Sequence, residues 1–524
     1  MASINIDLRR TSLLSLVVLI ALCAASSLTL AVEPVPEENS IRIQQRWREA
    51  IPDSDEYDIE YERAEWDAKK TVVIVCDMWD QHWCLSATSR CEELAPRMNE
   101  LIGEFRDRGA LIVHAPSGTL DAYEGTPGRE LVEQAVEEAG EVPNVTWRSL
   151  DEEVEGALPI DDSDEGCCDN PPCEPYQAWK GETDLLTIEP GDAITDSAEI
   201  YALFEQRGIE NVVLMGVHVN MCVLGRPFGI RRMVERDMNV VLVRDMTDSM
   251  YNPAKSPRVS HVRGTELVIE HIEKHWCPTI TSSDLLGGPA FRFEEDERPH
   301  VAFLVSDDHY LADETLPQFA QELREEHGYY CTVMHGEGTN DIHATGELEA
   351  ADVLVLFIRR LALPEDQLQA VRDYLDSGRP IVALRTASHA FDTKGVIPEG
   401  CANWTTFDPD VLGGSYVGHG SNDLGSDIAI ASNRRTHPIL RGVSPSTWHS
   451  TGSLYNVLPI NEDADILMYG STSEAQNEAI TWTRKYGESP VAVTMLGHPD
   501  DFTQPQFRTM LRNMIRWSLD EAEE

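Results

Sequence analysis

The chain has 524 residues, 42% of them hydrophobic and 25% charged, a globular composition that excludes disorder and exceeds what one hydrophobic core holds. Its 42 Lys+Arg stand against 91 Asp+Glu, a formal net charge of −49. Such a field repels phosphate backbones and anionic headgroups, so nucleic acid is excluded as a partner and the dispersed acidity reads as a solubility device.

Residues 1–31 read as an export signal. Arg9 and Arg10 precede the apolar stretch Leu13 to Leu22, and Thr29 and Ala31 suit cleavage before Val32. The stretch is too short to span a membrane. A secreted or periplasmic protein with no further membrane segment is expected, and a charged extension, 32–70, follows the signal.

From Thr71 the chain alternates. "TVVIVCDM" is a buried strand, "LAPRMNELIGEFRDRG" an amphipathic helix closed by a glycine, and "ALIVHAP" a second strand. Further on, "SAEIYALFEQRG" is helical, "NVVLMGV" a strand, "FGIRRMVERD" helical and "NVVLVRDM" a strand. This order predicts a parallel sheet with helices on both faces over 71–285. Between these elements, about 121–179 is acidic, rich in Gly, Pro and Cys, poorly periodic, and expected to be an insertion or lid. In an oxidising compartment its "GCCDNPPC" (Cys167, Cys168, Cys173) suggests a local disulfide knot, with zinc the weaker reading because no histidine accompanies the thiols.

A charged Gly/Pro linker, 286–298, leads to a second alternating series over 299–524, from "HVAFLVSDD" to the closing helix "QPQFRTMLRNMIRWSL". The expected fold class is α/β: two doubly wound three-layer α/β/α domains with mainly parallel sheets.

Chemistry is expected at the carboxyl ends of the strands. Cys222 follows "NVVLMGV" by a few residues, where a helix N-terminus would favour the thiolate and Gly216 would let the chain turn. The alternative is a cysteine that only fills space. Asp77 ends the first strand, either paired and used or serving as a cap. Lys180 lies in "YQAWKGETD", where a lysine taken alone is a solvated surface group. His82, Trp83, His218, Arg226 and Phe228 are candidate pocket residues. Of these, Arg226 could meet an anionic substrate or form a surface salt bridge.

These motifs carry a resemblance. The stretch from Thr71 to about Cys277 resembles the isochorismatase-like cysteine hydrolases, in its early strand ending in "DM", its central lysine, and "GVHVNMCV" followed by a helix and "VVLVRDM". The resemblance implies a triad of Asp77, Lys180 and Cys222. In it Asp77 takes the thiol proton, Lys180 steadies the anionic pair, Cys222 attacks a carbonyl carbon, and the backbone N–H groups of Met221 and Cys222 hold the oxyanion. The implied reaction is hydrolysis of an amide or amide-like C–N bond in a small molecule, without a cofactor. His114 in "HAPSGTLDAYEGTP" lacks the Asp-x-His spacing of the family's metal-binding branch, so no metal is expected.

From His300 the chain resembles the ThuA-like (trehalose utilisation) family, whose fold is that of class I glutamine amidotransferases. The resemblance rests on "PIVALRTASHAFD", "RTHPILRGV" and "WTRKYGESPVAVTMLGHPDDFTQPQFRTMLRNMIRW". "RTASHAF" offers no cysteine at the expected elbow, so glutaminase activity is not expected. His389 and His498 are the candidate residues here, as general acids, ligands, carbohydrate contacts or structural histidines. Two other readings remain: a non-catalytic scaffold for a glycan or protein, and a sugar-modifying activity in the second domain. A homo-oligomer is left open.

Overall fold

The structure, a computed structural model, describes residues 36–523 apart from 55, 308, 337–339, 445 and 447. The expected export signal lies outside the described residues. Among those described, no helix is long and apolar enough to cross a membrane. The chain is α/β, built on two large sheets.

The first sheet has eight strands: β1 (Ser40–Ala50), β2 (Tyr57–Asp67), β3 (Thr71–Cys76), β4 (Leu111–Ala115), β5 (Ala193–Ile194), β6 (Asn211–Val217), β7 (Asn239–Asp248) and β8 (Thr279–Ile280). Their order is β2-β1-β8-β7-β6-β3-β4-β5. From β8 to β5 every pairing is parallel. The charged extension is not a tail: β1 and β2 form an antiparallel hairpin, which β1 joins to the sheet through Arg46 opposite Thr279. Arg48 and Arg46 reach Glu273 at 3.1 and 2.8 Å, so this charge is spent on docking the hairpin.

Strand β3 is buried throughout, and its side chains alternate between two cores. Val72, Ile74 and Cys76 pack with Leu214, Phe228 and Ile272, while Val73 and Val75 pack with Met98, Phe105 and Met215 on the other face. At about 1.5–3 kcal/mol per fully buried aliphatic side chain, these two layers fix which loops emerge at the carboxyl edge. The predicted amphipathic helix starts earlier than its periodicity suggested, at Leu85, and runs to Arg108, where Gly109 caps it at φ 100°.

The acidic insertion is more ordered than its composition implied. Thr126 caps a helix from Pro127 to Ala139, whose Val132 and Ala135 enter the sheet's core. Glu155 is buried beside Arg231 (2.8 Å), His271 (3.0 Å) and the Trp276 indole (2.8 Å). With these donors around it, its carboxyl falls to about 2 despite burial.

The second sheet is parallel across β9 (His300–Ser306), β10 (Tyr330–His335), β11 (Val353–Ile358), and the strands Ile381–Leu384 and Ser489–Thr494. It continues antiparallel through Glu478–Tyr486, Asp465–Ser471, Ser426–Ile430 and Trp448–Ser450. Ion pairs such as Arg298–Glu266 (2.6 Å) and Arg63–Asp341 (3.1 Å) join the halves. A cavity of about 130 Å³ lies between them, lined by Arg46, Arg244, Asp245, Tyr330 and Glu347 among others, and Cys222 is not part of it.

Candidate active site

Strands β3 and β6 are adjacent and parallel, with Cys76 opposite Gly216. Asp77 and the turn carrying Cys222 therefore leave the sheet side by side. Gly216, at φ 104°, has a structural use beyond turning: a Cβ there would lie 2.1 Å from the Cys76 carbonyl oxygen. The glycine is what lets the two strands close at the site. The Val217–His218 peptide just before the turn is cis.

Asp77 is fully buried and left-handed, at φ 49°. Its Oδ1 accepts from the Ser117 amide at 2.8 Å, and its Oδ2 from Arg226 Nη2 at 3.0 Å and Nε at 3.3 Å. The Cys222 thiol lies beside the same carboxylate, near enough for each to shift the other's titration. Burial pushes the Asp77 carboxyl up, against the pull of Arg226, Cys222 and Ser117. Burial and the neighbouring carboxylate push the Cys222 thiol up as well, with Arg226 opposing. Both shifts favour a protonated thiol beside a desolvated carboxyl. Cys222 remains partly exposed.

Arg226 stands where Lys180 was expected. Lys180 is exposed, its backbone N–H donates to Asp80 at 2.8 Å, and no hydrogen bond or ion pair links its side chain to Asp77 or Cys222 among the described residues. Arg226 can take this position because the expected helix after Cys222 is interrupted. One turn, Cys222–Gly225, ends at Arg226 and Pro227, and a second begins at Ile230. The break swings the guanidinium back onto Asp77.

Other expected residues divide. Phe228 is wholly buried in the hydrophobic core and is no pocket residue. The Met221 amide donates to His218 O at 3.0 Å, which leaves it unavailable for an oxyanion. His82 and His218 are buried with ring centroids 5.1 Å apart, and burial lowers both below the usual histidine range, His82 to about 4. The Nε2 of His218 has no partner. Trp83 stands beside His82 at 5.1 Å. Sequence reasoning did not reach three further residues. Trp79 and Trp179 stack at 4.4 Å, with His82 against them, and Trp147 lies over the Arg226 guanidinium at 5.7 Å. Two of these come from the insertion, so that segment does cover the site. Asn220 holds the nucleophile turn, bonding Met250 twice (2.9 and 3.1 Å) and Asp162 of the insertion (3.0 Å). His114 pairs with Glu182 at 2.7 Å and Asp192 at 3.4 Å.

The second sheet presents its own cluster. The strand Ile381–Leu384 passes into a tight turn at Arg385, whose φ is 41°. A buried guanidinium thus occupies the elbow, sandwiched between Tyr310 and Tyr455 at 4.1 and 4.5 Å. Its Nε has no partner. His389 adjoins Tyr416 at 4.6 Å and Tyr455 at 6.0 Å, and burial lowers it to about 3. His498 adjoins Tyr310 at 6.2 Å and accepts from the Asp500 amide, a capping role. Both candidate histidines therefore border one aromatic cluster.

Residues 302–518 match the family model described as ThuA: Trehalose utilisation. No curated protein matches the chain. Among solved structures, a ThuA-like protein from Bacteroides uniformis is similar at 14% identity, over 44% of this chain and 95% of that one, with a TM-score of 0.34. An isochorismatase family protein from Burkholderia thailandensis aligns at 15% identity, over 41% and 94%, with a TM-score of 0.25. An N-carbamoylsarcosine amidase from Thermoplasma acidophilum aligns at 13% identity, over 34% and 83%, with a TM-score of 0.20.

Proposed function

We propose that the chain is an exported cysteine hydrolase acting on an amide or amide-like C–N bond of a small molecule, with Asp77, Cys222 and Arg226 as its working group. The observation that carries this reading is the buried Asp77 carboxylate held by the Arg226 guanidinium at 3.0 Å, with the Cys222 thiol beside it. A lone structural cysteine has no use for a desolvated base and a cation.

Asp77 accepts the thiol proton as sulfur attacks the carbonyl carbon. Arg226 offsets the anionic charge, which lies on sulfur before attack and passes to the carbonyl oxygen after it. The proton then moves from Asp77 to the leaving nitrogen, and water, deprotonated by Asp77, releases the acyl group and restores the thiol. The Trp79, Trp179 and His82 faces suit a planar substrate. Export rests on residues 1–31.

Cys222→Ala tests the reading. The variant should remain folded while losing all turnover on an amide panel, and the wild-type chain quenched during turnover should carry an acyl adduct on Cys222. Unimpaired turnover in Cys222→Ala would overturn it.

A second reading concerns the C-terminal cluster. A buried guanidinium with an unpartnered Nε, ringed by three tyrosines, favours a carbohydrate or other polar ligand there.

A further inference from the structure

The insertion carries three thiols and a carboxylate that the hydrolase chemistry does not use, and a fourth thiol, Cys84, meets them from outside it. Cys84 immediately precedes the helix Leu85–Arg108, and its Sγ lies 2.8 Å from Cys167 Sγ. Both sulfurs are 3.4 Å from Asp169 Oδ2, and Cys173 Sγ is 3.3 Å from the same oxygen. The ligand atoms of Cys84, Cys167 and Asp169 all fall within 4.8 Å of one another. All ten cysteines from Cys76 to Cys401 are free, so the expected disulfide knot is not closed.

Cys84, Cys167 and Asp169 are mutually close enough to share one ion, and Cys173 approaches the same carboxylate oxygen from the side. The carboxylate is also held in place. Its Oδ2 accepts from the Leu85 and Ser86 amides at 2.9 and 3.4 Å, and its Oδ1 takes the Ser86 hydroxyl. Beside it, Cys168 accepts from Arg90 Nη1 at 3.4 Å, and Arg90 is fixed to buried Asp248 at 2.7 Å. Donors from the helix start and from Arg90 therefore face the cluster, which favours the thiolate form.

We propose that Cys84, Cys167, Cys173 and Asp169 form a tetrahedral site for a zinc-class divalent cation, tying the insertion to the first long helix. Three thiolates and one carboxylate oxygen are a ligand set such a cation accepts. Binding forms three metal–sulfur bonds and one metal–oxygen bond, releases three thiol protons to solvent, and transfers no electrons. The resulting charge of −2 is moderated by the Leu85 and Ser86 amides at the helix start, since the Arg90 guanidinium is already paired with Asp248. The site adjoins the nucleophile: Cys84, Cys167 and Cys173 pack in one cluster with Trp83, Trp179 and Met221, the residue before Cys222. A cation here would stiffen one wall of the pocket.

Cobalt(II) titration of the reduced full-length chain tests this. One equivalent per chain should give thiolate-to-cobalt charge-transfer absorption with the intense visible bands of a tetrahedral ion, and zinc should bleach them. Cys222→Ala should bind unchanged, which separates this site from the hydrolase chemistry. Cys173→Ser, at a half-buried position that tolerates exchange, should weaken cobalt binding at least about tenfold, since even an outer partner of a metal ligand is worth that much. Absence of the charge-transfer band in the reduced chain overturns the site, as does unchanged binding in Cys173→Ser. So does a purified protein lighter by two hydrogens, with Cys84 joined to Cys167 and no cobalt uptake after reduction.

Discussion

Arg226 Nη2 lies 3.0 Å from Asp77 Oδ2, a pair formed between the end of β3 and the turn after β6 and separated by 149 positions in the chain. It sets the charge of the site. Arginine does not lose its proton at working pH, so the cation is permanent, and its fork grips one carboxylate oxygen with two N–H groups.

Removing that cation strands a buried carboxylate. Arg226→Ala is expected to cost about 2–4 kcal/mol of stability, measured by urea unfolding. It should also move the acid limb of the kcat/KM profile to higher pH. The sign follows from Asp77: burial raises its carboxyl and Arg226 lowers it, so deleting Arg226 leaves burial unopposed. An acid limb that stays in place would remove Arg226 from the mechanism.

Asp77→Asn keeps the shape and removes the base. Turnover should fall about 10²–10⁴-fold, while the fold holds, because a neutral amide is less costly to bury than an unpaired charge. Lys180→Ala, by contrast, should leave kcat within about twofold, as expected for an exposed side chain remote from Asp77. A large loss in Lys180→Ala would return the lysine to the triad.

Gly216→Ala places a methyl 2.1 Å from the Cys76 carbonyl oxygen at a φ of 104°. Strain and overlap together should cost at least about 2 kcal/mol. Thermal unfolding reads the cost directly, and an unchanged midpoint would show that β3 and β6 can part without penalty.

Stability should decline on the alkaline side in a way traceable to two histidines. His261, 2.8 Å from Asp248, and His114, beside Glu182, are each raised from 6.5 to about 9 by these carboxylates, against burial. The folded state holds their protons more tightly than the unfolded chain. Their contribution is therefore complete below about pH 6.5 and lost as pH rises through 9. His261→Gln should be less stable near pH 6 and show a flatter decline between these limits; an equal decline in both proteins would count against the pairing.

Trp147→Ala should speed alkylation of Cys222 with little change in thermal midpoint. The indole covers Arg226, yet is 44% exposed and adds little burial. Mass spectrometry of timed iodoacetamide reactions measures the change.

The strands were legible because each is a run of apolar residues bounded by turn or charged groups, and "TVVIVC" could hardly be placed elsewhere than in a buried parallel sheet. Asp77 and Cys222 were legible for a related reason: each follows such a run, and parallel strands carry the residues after them to one edge. Arg226 was visible as a pocket residue, but its grip on Asp77 was not. That grip depends on a helix breaking at Pro227, and the hydrophobic period of "FGIRRMVERD" extended the helix across the gap. Trp147 and Cys84 carried no local signal at all. Trp147 is brought to its place by the path of the insertion, a segment without periodicity, and Cys84 gains its partners from that same path. Phe228 was misplaced for the opposite reason, since a phenylalanine in a loop after a nucleophile looks the same whether it lines a pocket or fills a core.

Glu155 has a consequence for how this half of the chain is held together. Its carboxylate is the shared acceptor of Arg231, His271 and Trp276, all of which belong to the sheet's own helices or their ends. Excising the cover would leave Arg231, His271 and Trp276 without their shared anion and with only water in its place. The segment is therefore not a detachable ornament: it carries the acceptor on which three residues of the sheet's own helices converge.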